Sequence, residues 1–522
     1  MKKFFPALLF AVSLFCCCGK SGSDTPTPTP TPAAPTTITL SSSAISAQQA
    51  GGSYDVTITA PARPTLTLPA WISKKDGTYS NYKITLTLVV AANDTYAPRE
   101  ADITVKAAGA ADVTLKVSQA GKEEVKDPTL PDNTAVARTL ELGLGWNMGN
   151  HFDAYANGVA SETAWQGKKA TQATFTGLKE KGFSSVRIPV TWMGHIGDAP
   201  DYALDEEWLG RVYEVVGFAE NAGLNVILNT HHDEDHGEAD GHHWQNLKGA
   251  VDSEEVNKQV KEEIAAVWSQ IANKFKDKGD FLMLESFNEL IYGSEWHSTS
   301  NTEKKCEVIN EWNQVFVDAV RATGGNNATR WLGVPGYAAS PNFIQYLKVP
   351  SDPAGKIMLA FHCYDPYDYT IRTDLVTTDD KNDGLWVPSA DWGHTGPSIP
   401  TGEEEIKTLY NSIYTNYIAK NIPVYMGEFG CSMRNKNDAK AWAYFLYYLE
   451  YVVKAARSFG FAPFLWDNGA EGYGQERHGY VDHGSGEYTA SGKEPVEAMV
   501  KAWSTTDASY TLQSVYDSAP KF

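Results

Sequence analysis

A chain of 522 residues is too long for one compact domain, and 42% hydrophobic residues with 12% aromatics supply a large core. The formal net charge of -20 excludes nucleic acid and anionic lipid as partners, because either would be repelled; a neutral substrate meets no such barrier.

The N-terminus reads Lys2-Lys3, then the apolar run FFPALLFAVSLF, then Cys16, Cys17 and Cys18. That order predicts a lipoprotein signal peptide over residues 1–18, with an ordinary cleaved signal as the alternative; the apolar run is too short to span a membrane permanently. It resembles a bacterial lipobox loosely, with Leu14 upstream, and does not single out which cysteine carries the lipid. The expected location is the cell envelope, lipid-anchored at the outer membrane surface of a Gram-negative bacterium or facing its periplasm, with membrane contact only through the anchor. Residues 19–37 are a Pro/Thr-rich, solvated tether. The remaining cysteines, Cys306, Cys363 and Cys431, are odd in number and read as packing residues rather than a disulfide framework.

Residues 38–121 change to short alternating runs, among them SYDVTITA, YKITLTLVV and DVTLKVSQA, separated by Gly, Pro, Asn and Asp. Period-2 alternation with turns at this spacing predicts a small all-β, immunoglobulin-like sandwich. Trp71 in PAWIS and the stretch from AANDTYAPREADITV to VSQAG resemble a BACON domain, a sandwich often found ahead of bacterial glycan-degrading enzymes. No aromatic cluster accompanies Trp71, so the segment is expected to act as a spacer and Trp71 as a core residue; a sugar-stacking role is the alternative. A charged, Pro-containing linker follows over residues 122–135.

From residue 136 to the end, residues 136–522, apolar runs alternate with amphipathic helices. Val256, Val260, Ile264, Val267, Ile271 and Phe275 recur at helical spacing, as do Val308, Trp312, Val315, Phe316 and Ala319. Eight strands are predicted, starting near Leu140, Ser185, Asn225, Phe281, Trp331, Ile357, Ile422 and Phe461. Eight strands alternating with helices make an α/β fold of the (β/α)8 TIM-barrel type, whose chemistry sits at the C-terminal ends of the strands. Two of those ends carry an acid: Glu289 closes FLMLESFNEL and Glu428 closes IPVYMGEFG. Parity places Arg187 of SSVRIPV inside the barrel, where it needs a carboxylate partner, and puts Ile227, Asn229 and His231 on the interior face of the next strand. His362 and Tyr364 share a face from which Cys363 points away. Glu285 is expected deeper in the barrel, paired with a basic or polar neighbour.

Together GWNMGN, RIPVTWMGHIG, ILNTHHD, SFNE, FHCYDPYD, MGEFG and FLWDNG, in this order from Gly145 to Gly469, resemble a family 5 glycoside hydrolase. The likeness is strongest to the bacterial endo-β-1,4-glucanases that include cellulases, lichenases and xyloglucanases. The resemblance implies Glu289 as acid/base, Glu428 as nucleophile, and Arg187, His231, His232, Asn288, His362, Tyr364 and Trp466 as the surrounding ring. Asn150 and His195 match positions around the family's sugar-binding cleft. The stretch DEDHGEADGHHWQ after His232 departs from the pattern and leaves the shape of that side open.

The chemistry asks for the same residue types. Retaining hydrolysis needs one carboxylate to attack the anomeric carbon and one carboxyl to protonate the leaving oxygen. Arg187 and the Tyr364 hydroxyl are expected to keep Glu428 ionised, while a like charge nearby favours the protonated form of Glu289. The spacing of His231, His232, His236, His242 and His243 fits no familiar zinc motif, so neither a metal nor another cofactor is expected. The expected partner is a β-glucan polysaccharide or oligosaccharide, handled by a monomer. A mannanase or xylanase on the same fold, or a non-catalytic glycan-binding surface lipoprotein, are the alternatives; the second would lack one of the two acids, and both are present.

Overall fold

A computed structural model describes residues 33–93, 95, 97–121, 127–235, 242–371, 389–396 and 398–522. The signal segment, most of the tether, residues 122–126 of the linker, His236 and much of 372–397 lie outside the described residues. The chain divides into two compact units, residues 1–124 and 125–522.

The larger unit is a closed barrel of eight parallel strands: β1 (Gly145–Met148), β2 (Ser185–Ile188), β3 (Asn225–Leu228), β4 (Leu282–Glu285), β5 (Leu332–Pro335), β6 (Ile357–His362), β7 (Val424–Phe429) and β8 (Ala462–Asp467). Each strand pairs with its neighbours in sequence, and β8 returns to β1. Seven of the eight strands fall where the apolar runs predict them. The first does not: Leu140 lies in a helix, Thr134–Leu142, and is half exposed. The alternation in TLELGLGW imitates a strand, but the Asn133 side chain accepts a hydrogen bond from the Val136 N–H at 2.9 Å and caps a helix there. Gly143, at φ 67°, ends it, so the strand starts only at Gly145.

The two faces of the strands bury different things. Val186 and Ile188 of β2 are fully buried in the layer between barrel and helices, each contributing roughly 1.5–3 kcal/mol. Inside the barrel, Leu142, Ile227, Met283, Met358, Ala360, Tyr425, Ala462 and Phe464 form a separate apolar plug. Above that plug the inward positions turn polar: Asn147, Arg187, Asn229 and Glu285 are all buried. A layered, filled interior of this kind has no pore and presents its reactive groups at one rim. Among the described residues, no helix is long and apolar enough to cross a membrane.

The smaller unit has two four-stranded sheets. In one, Gly52–Thr59 and Lys83–Val90 pair centrally; in the other, Arg99–Lys106 and Val113–Gln119 do. Ile84, Leu86, Leu88 and Val90 alternate inward along one strand, as period-2 patterning requires. Trp71 is partly buried against this core, and the Arg99 guanidinium lies 4.5 Å from its ring centroid. One face of that indole is therefore covered by a cation, which leaves it a poor sugar platform.

Candidate active site

Arg187 organises the rim. Its guanidinium, fully buried, donates to Glu285 at 2.7 Å, to Glu428 at 2.8 Å, to Asn288 at 2.9 Å and to Asn147 at 3.0 Å. Burial pushes the Arg187 guanidinium down, but Glu285 and Glu428 outweigh it and hold it above its ordinary value. Glu285 is the deep carboxylate of the pair; it also accepts from Asn229 at 3.0 Å and from the Tyr425 hydroxyl. Its lone pairs are thus saturated, and it has no path to a substrate.

Glu428 reaches the rim through an irregularity in β7. Phe361 of β6 pairs with Met426, but the next residue, His362, pairs with Glu428, so Gly427 is an extra residue. Tyr425 points into the barrel and Met426 outward; strict alternation would send Glu428 outward too. The bulge at Gly427 turns it back in. A Cβ on Gly427 would stand 2.9 Å from Nε2 of His362, so the position demands glycine for close approach as well.

Glu428 receives hydrogen bonds from Arg187 on Oε1 and from the Tyr364 hydroxyl on Oε2, the latter at 2.8 Å. Glu289 meets Nδ1 of His362 at 2.6 Å. One oxygen of each glutamate and a His362 nitrogen lie within 4.8 Å of one another. Carboxyls this close match the roughly 5–5.5 Å of retaining glycosidases and leave no room for the intervening water of the inverting ones. The Glu289 side chain keeps 20% exposure against 7% for Glu428, so it is Glu289 that can trade protons with solvent.

Burial also dominates the electrostatics of Glu428. Burial raises Glu428 above the ordinary glutamate range; Glu289 adds to the rise, and His362, Arg187 and Tyr364 pull against it without cancelling it. Sequence reasoning foresaw the pull of Arg187 and Tyr364 but not that desolvation would exceed it. Burial pushes His362 down to about 4, so it is neutral at neutral pH and offers Glu289 a hydrogen bond without a full positive charge.

A cavity of about 840 Å³ opens above these groups, lined by His231, His232, Asn288, Glu289, His362, Tyr364, Glu428 and Trp466, among others. The Trp466 and His231 rings are parallel within 5° with centroids 5.9 Å apart. Because the Asn288 carbonyl oxygen accepts from Arg187, its amide N–H groups are left to face the cavity, where a sugar hydroxyl can accept from them.

Two residues placed near the cleft by resemblance sit elsewhere. His195 stacks on Trp208 with centroids 4.6 Å apart, and its ring nitrogens meet Asp205 at 3.2 Å and the Ala160 carbonyl at 2.9 Å. Both nitrogens are engaged in holding loops, so His195 is structural. Asn150 does not line the cavity either; it takes φ 60° and its backbone N–H donates to Asp153 at 2.9 Å, shaping the loop after β1. Conversely, Trp296, His297, Tyr367, Glu476 and His478 line the cavity and were not singled out from sequence. The aromatics directly after SFNE, in GSEWHS, were the available signal.

Asp153, His231 and His232 also bring one potential metal-ligand atom each within 4.8 Å of one another. The Asp153 carboxylate, however, already accepts from the backbone N–H groups of Asn150 and His151. Burial pushes His232 down, but Glu234 and Asp153 outweigh it and hold it up at about 9. His232 is thus ion-paired, with Glu234 at 3.5 Å and Asp153 at 4.0 Å, while burial pushes the neighbouring His231 well below its ordinary value.

Comparison with known proteins agrees with this geometry. The family model for cellulase (glycosyl hydrolase family 5) matches residues 149–472, and the BACON model matches residues 44–120. The chain belongs to glycosyl hydrolase family 5. It is 36% identical to endoglucanase A of Ruminococcus albus over 380 residues, covering 71% of this chain and 91% of that protein. A xyloglucan-specific endo-beta-1,4-glucanase of Bacteroides ovatus is 32% identical over 445 residues, covering 80% of this chain and 83% of the relative. Among solved structures, a Bacteroidetes-affiliated family 5 cellulase linked with a polysaccharide utilization locus superposes with a TM-score of 0.69 at 43% identity, covering 75% of this chain and 98% of that one.

Proposed function

We propose that, in this retaining endo-β-1,4-glucan hydrolase, Glu428 is the nucleophile and Glu289 the acid/base. The observation that carries the assignment is that Arg187 and Tyr364 hold both oxygens of the more buried Glu428, whereas the side chain of Glu289, which meets Nδ1 of His362, keeps 20% exposure against 7%. In the first step a Glu428 oxygen bonds to the anomeric carbon, the glycosidic C–O bond breaks, and Glu289 gives its proton to the departing oxygen. In the second, Glu289 takes a proton from water, which attacks the same carbon and frees Glu428. Asn288 donates to a hydroxyl of the reacting sugar, and Trp466 offers that sugar an apolar face.

The preferred substrate is a soluble β-1,4-glucan, xyloglucan or mixed-linkage glucan ahead of crystalline cellulose. The similarity to the xyloglucan-specific relative supports this reading. Incubation with xyloglucan, mixed-linkage glucan, carboxymethylcellulose, mannan and xylan is expected to give an early fall in viscosity on the glucans. Release of only glucose or cellobiose from chain ends, with viscosity unchanged, would refute endo action; faster cutting of mannan or xylan would move the substrate class.

The enzyme works as a monomer held to the outer membrane by a lipid on one of Cys16, Cys17 and Cys18, which the Lys2-Lys3, apolar run, cysteine order supports. Replacing all three cysteines by alanine is expected to release the protein from the membrane fraction; retention there would overturn the anchor.

A further inference from the structure

Arg187 is one cation between two buried carboxylates, and it is not shared evenly. All five of its N–H groups are committed. Nη1 donates to Glu428 at 2.8 Å and to Asn147 at 3.0 Å; Nη2 donates to Asn288 at 2.9 Å; Nε and Nη2 both reach Oε1 of Glu285, at 3.0 and 2.7 Å. The two-nitrogen contact thus goes to the carboxylate that does no chemistry, and the nucleophile receives a single N–H. Charge pairing does not require this arrangement, because Glu428 alone would balance Arg187 and a second buried anion is costly to desolvate. The fold nevertheless holds Glu285 against the guanidinium, with the Asn229 amide donating to it at 3.0 Å and the Tyr425 hydroxyl donating to its other oxygen. Tyr425 stands on β7, the strand that carries Glu428.

The reaction gives such an anion a use. Glu428 loses its negative charge as it bonds to the anomeric carbon, so a guanidinium bound to it alone would stabilise the free carboxylate more than the transition state and slow the attack. A second carboxylate on the same guanidinium weakens that ground-state stabilisation. We propose that Glu285 is a positioning residue for the first step: it takes the larger share of Arg187, so that the guanidinium orients Glu428 without blunting it as a nucleophile. The inference rests on the assignment of Glu428 as the nucleophile.

Other titratable groups also face Glu428. β6 and its loop bring His362, which burial pushes down to about 4, and Tyr364, whose hydroxyl burial pushes well up. The loop after β3 brings His231, which burial keeps neutral, and His232, which burial lowers but Glu234 and Asp153 hold up at about 9. Glu289 from the loop after β4, and Glu476 and His478 from the loop after β8, line the same cavity; β1 adds the uncharged Asn147. None of these is altered in the variants below. Removing the Glu285 charge leaves Arg187 to Glu428 alone, which favours the ionised carboxylate, so the acid limb of kcat/KM should move to lower pH. Attack and release then respond oppositely, because a carboxylate better stabilised as an anion is a poorer nucleophile and a better leaving group.

A 2,4-dinitrophenyl 2-deoxy-2-fluoro-cellobioside reads the two steps apart. The rate of inactivation reports attack by Glu428, and the rate at which activity returns after excess reagent is removed reports release. Glu285→Gln keeps the shape and an amide oxygen for Arg187. In it, inactivation should slow about tenfold while reactivation holds or quickens, and the acid limb should fall by about one pH unit. Tyr425→Phe takes a donor from Glu285 and leaves its charge less screened, so its acid limb should rise. Slowing of both steps alike, or an acid limb that stays or rises in Glu285→Gln, would overturn the proposal and leave Glu285 a structural partner of Arg187. Should that variant fail to fold, Tyr425→Phe decides: a raised acid limb supports the proposal, and an unmoved or lowered one overturns it. Peptide mapping of the inactivated wild type separates the two levels, since a label on any residue but Glu428 would remove the nucleophile assignment and the proposal with it.

Discussion

Replacing Glu428 by alanine is expected to abolish turnover, by on the order of 10⁵-fold, because no other carboxylate can form the glycosyl-enzyme bond. Glu285 cannot substitute: it lies below the rim with its oxygens committed to Arg187, Asn229 and Tyr425. External azide can enter the space left by Glu428 and attack the anomeric carbon directly, giving a glycosyl azide of inverted configuration. Glu289→Ala should behave differently. An aryl glycoside whose leaving group needs no proton still forms the intermediate, and azide then resolves it with retained configuration. Proton NMR of the azide adducts reads both outcomes. The same product configuration from the two variants, or inverted products from the wild type, would reverse or remove the assigned roles.

The wild-type pH profile follows from the same pair. Activity requires Glu428 ionised, so the acid limb is lost as pH falls through its pKa. Since burial raises that value, the limb should stand above the roughly 4.3 of a free glutamate. The alkaline limb reports loss of the Glu289 proton, and both apparent values belong to the coupled pair. His362, already pushed down to about 4, contributes no limb near neutrality.

Much of this site was legible because barrel strands deliver functional groups where apolar runs end. Parity alone put Arg187, Asn229 and His362 inside and Cys363 outside, and Cys363 indeed packs among the buried residues around the barrel. Arg187 was expected to need a carboxylate and Glu285 a basic or polar neighbour, without the two being matched; they turn out to be each other's partner at 2.7 Å. Parity fails at Glu428, where the bulge at Gly427 intervenes; a lone glycine inside a strand pattern was the only hint. His195 shows the opposite limit. A motif match fixes a position in the chain, but not whether the ring is already used, here by Trp208, Asp205 and Ala160. The helix before β1 was hidden by a short alternating run that only the Asn133 cap distinguishes from a strand. Trp296 escaped notice because loop conformation, not periodicity, decides which loop aromatics face a cavity.

Arg187→Met is expected to damage stability and catalysis together, and the pH dependence of each identifies the cause. The guanidinium neutralises two buried carboxylates and positions Asn288 and Asn147. Removing it leaves Glu285 and Glu428 without their shared cation, a loss of about 3–5 kcal/mol for a broken buried pair. Glu428, already raised, rises further without Arg187 pulling it down, so the acid limb of kcat/KM moves to higher pH. In the folded variant the stranded carboxylates bind protons more readily than in the unfolded chain, which makes stability fall as pH rises. The deficit against wild type should therefore be larger at pH 8 than at pH 5 in urea unfolding of the barrel. Turnover at the optimum should drop by about 10²–10³-fold, the scale of losing one preorganised charged donor. Arg187→Lys separates charge from geometry: an ammonium restores the cation, and with it part of the stability, but lacks the planar fork that reaches Glu285, Glu428, Asn288 and Asn147 at once. It should recover stability more than rate. A deficit equal at both pH values, together with an unmoved acid limb, would mean that Arg187 does not set the charge state of Glu428.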